Sequence, residues 1–319
     1  MFSEKLIQNI LRNDKRAVSR AISIIETGNS NATELLKCLH KKIGNAYRIG
    51  ITGPPGAGKS TITNQLTKYY RKKNFKVGII AVDPTSPFTG GALLGDRIRM
   101  NDLCTDINVF IRSMATRGSL GGLSKKTIDA ADVLDAAGYD IIILETVGVG
   151  QSELDIAKAA DTTIVVLVPE SGDSIQAMKA GLMEIADFFV LNKSDRPGAE
   201  NAMLAIKTIL MFKEHSENSW LPNIISAVAS ENKGISEIGI EILRHQKYLV
   251  EKNLLKEKRE MNYKSRIKEL IEEHFSSEFW KEHRSESLQA SLSKIVAGET
   301  SPYHIAEALF NDFKTTNKV

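Results

Sequence analysis

The chain has 319 residues, 42% of them hydrophobic and 25% charged, so it can pack one large domain or two ordinary ones and is not wholesale disordered. The 42 Lys and Arg against 39 Asp and Glu leave a net charge of +3, too little to argue for a nucleic-acid or membrane partner. Two cysteines, Cys38 and Cys104, exclude a disulfide framework and a cysteine-built zinc site, and fit a reducing compartment.

The N-terminal stretch MFSEKLIQNILRNDKR is basic and amphipathic but lacks an apolar signal core followed by small residues. Glu4, Asp14 and a helical period continuing through Ile25 argue against a transit peptide. No apolar run approaches the roughly 18 residues that span a bilayer. The expectation is a cytoplasmic protein.

Residues 1–44 read as helices. Leu6, Ile7, Ile10 and Leu11, then Ala17, Ala21, Ile24 and Ile25, recur at helical spacing. The run Thr27-Gly-Asn-Ser-Asn breaks that pattern, and Asn31 or Thr33 can cap a second helix through Leu39. From Tyr47 the texture changes to short apolar runs of strand length: Arg48–Thr52, Val77–Val82, Val109–Arg112, Ile141–Leu144, Thr163–Val168, Phe188–Leu191 and Ile224–Val228. Several lack alternation, as expected of strands buried on both faces. Helical stretches lie between them: Ser60–Lys73, Lys125–Ala137, Ser174–Glu184 and Ala199–Phe212. The order predicts an α/β fold, a mostly parallel central sheet with helices on both faces. After Ser236 strand signals vanish and the chain reads as helix to its end, with a Gly-Glu-Thr-Ser-Pro break before residue 303. The expected division is 1–44 as a helical extension, 45–240 as the sheet domain and 241–319 as a helical arm that forms a homodimer, since a long charged helix cannot bury its apolar positions alone.

Gly53-Pro-Pro-Gly-Ala-Gly-Lys59-Ser60 matches G-x-x-x-x-G-K-[ST] between a strand and a helix, the context a phosphate loop needs. Gly53, Pro54, Pro55, Gly56, Ala57 and Gly58 turn backbone N–H groups toward phosphate oxygens, and the helix opening at Lys59, Ser60 and Thr61 adds a partial positive charge. Lys59 reaches the outer phosphates, and the Ser60 hydroxyl is a ligand for Mg2+. This makes the fold a P-loop NTPase.

Asn192-Lys193-Ser-Asp195 follows the run DFFVL. A carboxylate at Asp195 can accept from both N1–H and the exocyclic amine of guanine, a donor pair that adenine lacks. Asn192 can tie this loop to the phosphate loop, and the Lys193 stem can cover the base. In the later run Ile225-Ser-Ala-Val-Ala-Ser230, Val228 and Ala229 stand in register for a second base contact, with Ala227 the alternative.

Asp83 and Glu145 end two of the strands, the edge where open α/β sheets bind ligand. Either can hold magnesium or its waters. Gly148 can offer its N–H to the γ-phosphate, which makes residues 148–153 a switch. Asp96 lies in a glycine-rich loop that can fold over the same site. Gln151, Asp96 and Glu145 are rival groups for orienting the attacking water, and Arg97, Arg99 and Arg117 are candidate transition-state cations.

In sequence order, GPPGAGKST, VDPTSPFTGGALLGDRIRM, TRGSLGGLS, ETVGVGQSE, SGDSIQAMKAGLMEIAD and NKSD resemble the MeaB/ArgK-like GTPases, once labelled lysine/arginine/ornithine transport ATPases. The resemblance spans about residues 15–240; beyond that only helical character matches. It implies a GTPase in which Glu145 stands where most GTPases carry the aspartate of D-x-x-G. It implies a magnesium site of Ser60, Asp83 and Asp96, and a relay from Ser171 through Asp173 to Lys179. It further implies a homodimer that gates adenosylcobalamin loading and protects methylmalonyl-CoA mutase or a related cobalamin-dependent mutase. The chain carries no D-x-H-x-x-G cobalamin motif. Two other readings stand beside this one. A nickel metallochaperone needs Cys/His clusters, which the scattered histidines do not supply. A transport-linked ATPase or kinase conflicts with Asp195.

Overall fold

The computed structural model describes residues 4–28, 30–83, 101–115, 122–146, 152–171, 180–211, 219–280 and 283–316. They divide into two compact units, Met1–Lys256 and Glu257–Val319. Seven strands form one sheet: β1 (Tyr47–Thr52), β2 (Val77–Asp83), β3 (Val109–Ala115), β4 (Ile141–Glu145), β5 (Thr162–Leu167), β6 (Phe188–Asn192) and β7 (Ile224–Ala227). Their order is β3-β2-β4-β1-β5-β6-β7, and every pairing is parallel. β1 is central, with β4 on one side and β5 on the other, so the loop leaving β1 opens where the connections diverge.

Strands buried on both faces explain the unbroken apolar runs. In β4, Ile142 and Leu144 enter one core while Ile141 and Ile143 enter another; β5 divides Val165 and Leu167 from Ile164 and Val166 in the same way. One face is covered by α4 (Lys59–Lys72) and, further along the chain, α10 (Ile235–Glu251), whose Ile62, Leu66, Ile235, Ile238 and Ile242 share a core. Among the described residues, helices α5 (Asn101–Cys104), α6 (Gly122–Ala136), α7 (Ser152–Ala159), α8 (Ala180–Ile185) and α9 (Ala199–Met211) lie between them in the chain. α8 and α9 pack Leu182, Ala202 and Ile206 on the opposite face, against β5 and β6.

The N-terminal helices, α1 (Glu4–Leu11), α2 (Lys15–Thr27) and α3 (Ser30–Leu39), belong to the first unit. Val18, Ala21, Ile22 and Ile25 of α2 share a core with Ala130, Val133 and Leu134 of α6. The sequence pattern ran unbroken through Ile25, but the backbone breaks at Asn13, which has φ 60°. Asp14 then caps α2 by accepting from the Ala17 N–H at 2.7 Å. The apolar period survives the break because Ile10 and Ala17 face the same core.

α11 (Leu254–Phe279) starts in the first unit; the second contains the rest of it with α12 (His283–Val296) and α13 (Pro302–Thr316). Buried Arg284 donates to Phe279 O at 2.6 Å and to Asp312 at 2.9 Å, and its guanidinium lies over the Phe279 and Phe313 rings. Ile267, Ile271 and Phe275 of α11 are exposed. Among the described residues no helix is long and apolar enough to cross a membrane.

Candidate nucleotide site

The loop from β1 to α4 is built on two close approaches. Gly53 sits at φ 133°, and a Cβ there would lie 2.1 Å from Val166 O. Gly58 sits at φ 90°, and a Cβ there would lie 2.3 Å from Asn192 Nδ2. Only glycine meets both demands, the backbone angle and the missing volume. Lys59, the first residue of α4, is buried, and its Nζ donates to Gly53 O at 2.8 Å and Pro54 O at 2.9 Å. The ammonium thus lies inside the curl of the loop. Pro55, Gly56 and Thr61 are exposed at its rim, and Ala57 is buried beneath it.

Ser60 donates its hydroxyl to Glu145 Oε1 at 2.5 Å. Register accounts for the meeting: Glu145 ends β4 opposite Ile51 of β1 and Ala81 of β2. Two hard oxygens therefore lie together where the phosphate loop becomes a helix. Asp83 ends β2 two residues beyond Ala81; its side chain, like Asp96, Gly148 and Gln151, lies outside the described residues. So do Arg97, Arg99, Arg117 and Asp173 to Lys179.

Asn192 ends β6 and is buried. Its Nδ2 donates to Ala57 O at 2.8 Å, and its Oδ1 accepts the Ala229 N–H at 3.1 Å. One amide thus joins the phosphate loop to the loop after β7. Lys193, at φ 57°, donates from Nζ to Gly56 O at 2.8 Å. Ser194 donates from both N and Oγ to Ala227 O, each at 3.1 Å. Asp195 follows, exposed. Val228 pairs with Lys233, closing the second loop, and the Ala229 N–H is directed at Asn192 rather than outward. Ala227 is the register partner of Asn192, at the end of β7.

Three features of this edge were not singled out in the sequence. Thr52 and Thr146 meet hydroxyl to hydroxyl at 2.9 Å. Arg196, beside Asp195, pairs with Glu170 of the short 3-10 turn Pro169–Ser171; its hydrogen bond holds that carboxyl below its usual range. Asn192 also has its second bond, to Ala229. The only sequence signal was position, since each sits beside a strand end or a motif. Among the described residues no group of three or more His, Cys, Asp or Glu side chains gathers as a metal cluster.

A family model for the methylmalonyl Co-A mutase-associated GTPase MeaB matches residues 18–284. A Pyrococcus abyssi protein is 45% identical over 311 residues, 97% of this chain and 96% of its own. GTPase ArgK of Escherichia coli is 33% identical over 313 residues, covering 94% of this chain and 95% of its own. The crystal structure of a LAO/AO transport system kinase superposes with a TM-score of 0.75 at 27% identity, covering 98% of this chain and 99% of that one.

Proposed function

The chain belongs to the methylmalonyl-CoA mutase-associated GTPase family, MeaB, and from that premise we propose that it is a GTP-driven switch for a cobalamin-dependent acyl-CoA mutase, methylmalonyl-CoA mutase first. It times cofactor loading and protects the loaded enzyme. The observation that carries the nucleotide part is Asn192, whose single amide holds the phosphate loop and the base loop at one sheet edge.

In this reading the amides of residues 53–58, with Lys59 and the α4 N-terminus, hold the phosphates. Lys59 exchanges its bonds to Gly53 O and Pro54 O for phosphate oxygens. Asp195 accepts from guanine, Lys193 covers the base and the 227–229 loop bounds it. Ser60 and Glu145 are hard oxygen donors side by side, a set that suits Mg2+, and Asp83 and Asp96 complete it. When bound, Mg2+ neutralises charge developing on the phosphate oxygens. Gly148 donates its N–H to the γ-phosphate, and Gln151, Asp96 or Glu145 orients the attacking water. The segment from Ser171 to Lys179 carries the nucleotide state to the mutase.

Exposed Ile267, Ile271 and Phe275 support reading the 241–319 arm as a homodimer contact. Cys38 and Cys104, both exposed and outside any disulfide, suit the cytoplasm. The test of the whole reading is capture of purified methylmalonyl-CoA mutase on the immobilised full chain. Retention that changes between GDP and a non-hydrolysable GTP analogue supports it; equal or absent retention with both contradicts it.

A further inference from the structure

β1 and β4 run in register to Ile51 and Glu145, and the Thr146 N–H donates to Ile51 O at 3.1 Å. One step further Gly53 turns into the phosphate loop and the β1–β4 register ends. At that step the Thr52 and Thr146 hydroxyls meet at 2.9 Å, and both residues are 2% exposed or less. Valine would fill the same space, so the sheet does not need hydroxyls there for volume. What the pair adds is a side-chain rung where the backbone ladder ends. Glu145, directly before Thr146, and Ser60, eight residues after Thr52, must still face each other at 2.5 Å. Asn192 fixes the far side of the phosphate loop to β6, and the threonine pair fixes its root to β4.

We propose that Thr52 and Thr146 are positioning residues, whose buried hydroxyl pair locks the end of β4 to the root of the phosphate loop and so holds Glu145 opposite Ser60. The inference rests on the reading that Ser60 and Glu145 face the metal and phosphates. Support that orients a ligating group, without touching the ligand, typically changes metal affinity 10- to 100-fold when removed.

The test compares T146V, T52V, T52V/T146V and T146S with the unaltered chain. Two quantities are read: the Mg2+ concentration at which fluorescent GDP binding is half-maximal, and kcat and KM for GTP. T146V and T52V raise the Mg2+ midpoint about tenfold and lower kcat about tenfold, with KM moved less than about threefold. T146S restores both readouts, because it keeps the hydroxyl. The double variant is no worse than either single one, since removing both partners leaves no orphaned hydroxyl. An unmoved Mg2+ midpoint in T146V overturns the inference, as does a T146S variant no better than T146V. If the unaltered chain binds no guanine nucleotide, the parent reading falls and takes this inference with it.

Discussion

Replacing Asn192 by alanine tests whether one amide truly joins the two loops. In N192A, Ala57 O loses a bond of 2.8 Å and the Ala229 N–H loses one of 3.1 Å. Each buried backbone group left without a partner costs about 1–3 kcal/mol. The loops border solvent on one side, so the pair is placed in the lower half of the summed range, about 2–4 kcal/mol. For a unit of this size a kcal/mol moves the melting temperature by about 2 °C, so nucleotide-free N192A melts about 4–8 °C lower. The second reading is stabilisation by GDP. At 100 times Kd the unaltered chain gains about 2.7 kcal/mol from mass action. If the loops no longer hold their spacing and GDP binds about 100-fold more weakly, the gain at that concentration falls to about 0.4 kcal/mol. Thermal melts with and without GDP measure both. A nucleotide-free shift under about 1 °C with GDP stabilisation intact refutes the reasoning.

G53A forces a Cβ to within 2.1 Å of Val166 O at φ 133°, and no flexible side chain can yield there. It loses at least about 3 kcal/mol or fails to accumulate as soluble protein, read by expression and thermal melt; normal melting contradicts the close approach. Asp106 is held below its ordinary carboxyl value of 3.8, first by a hydrogen bond from Arg71. A depressed folded value means that its contribution is present above that ordinary value and is lost as pH falls through the folded one. R71M therefore melts with a flatter acid dependence below about pH 4 than the unaltered chain; parallel curves count against the pair. Deleting residues 257–319 removes the exposed α11 stripe, and sedimentation then finds monomers; a dimer of the shortened chain refutes the arm.

The sheet was legible because its physics is local to each strand. Ile141 to Leu144 cannot alternate in polarity when both faces are buried, so seven apolar runs of strand length marked seven strands. The phosphate loop was legible because glycine is demanded at Gly53 and Gly58 by volumes that no other residue fits. The order NKSD after a strand likewise placed Asn192 beside Ala57. What stayed hidden depends on partners distant in sequence. The helix break at Asn13 leaves the apolar period intact, so periodicity alone passes over it. The Thr52–Thr146 rung requires the β1–β4 register, which neither strand carries by itself. The destination of the Ala229 N–H depends on Asn192, 37 positions away. The end of the compact sheet unit at Lys256, within α11, has no composition break to mark it, because α10 and α11 are both charged helices.

The most direct test of the guanine switch is competition between GTP and ATP for bound fluorescent GDP in the presence of Mg2+, repeated on D195N. Each partner left unpaired in a site built to hydrogen-bond its ligand is a large penalty, so GTP displaces the probe at a concentration at least about 1,000-fold below that of ATP, and D195N erases most of that difference. Equal competition by ATP and GTP, or undiminished preference in D195N, contradicts the account.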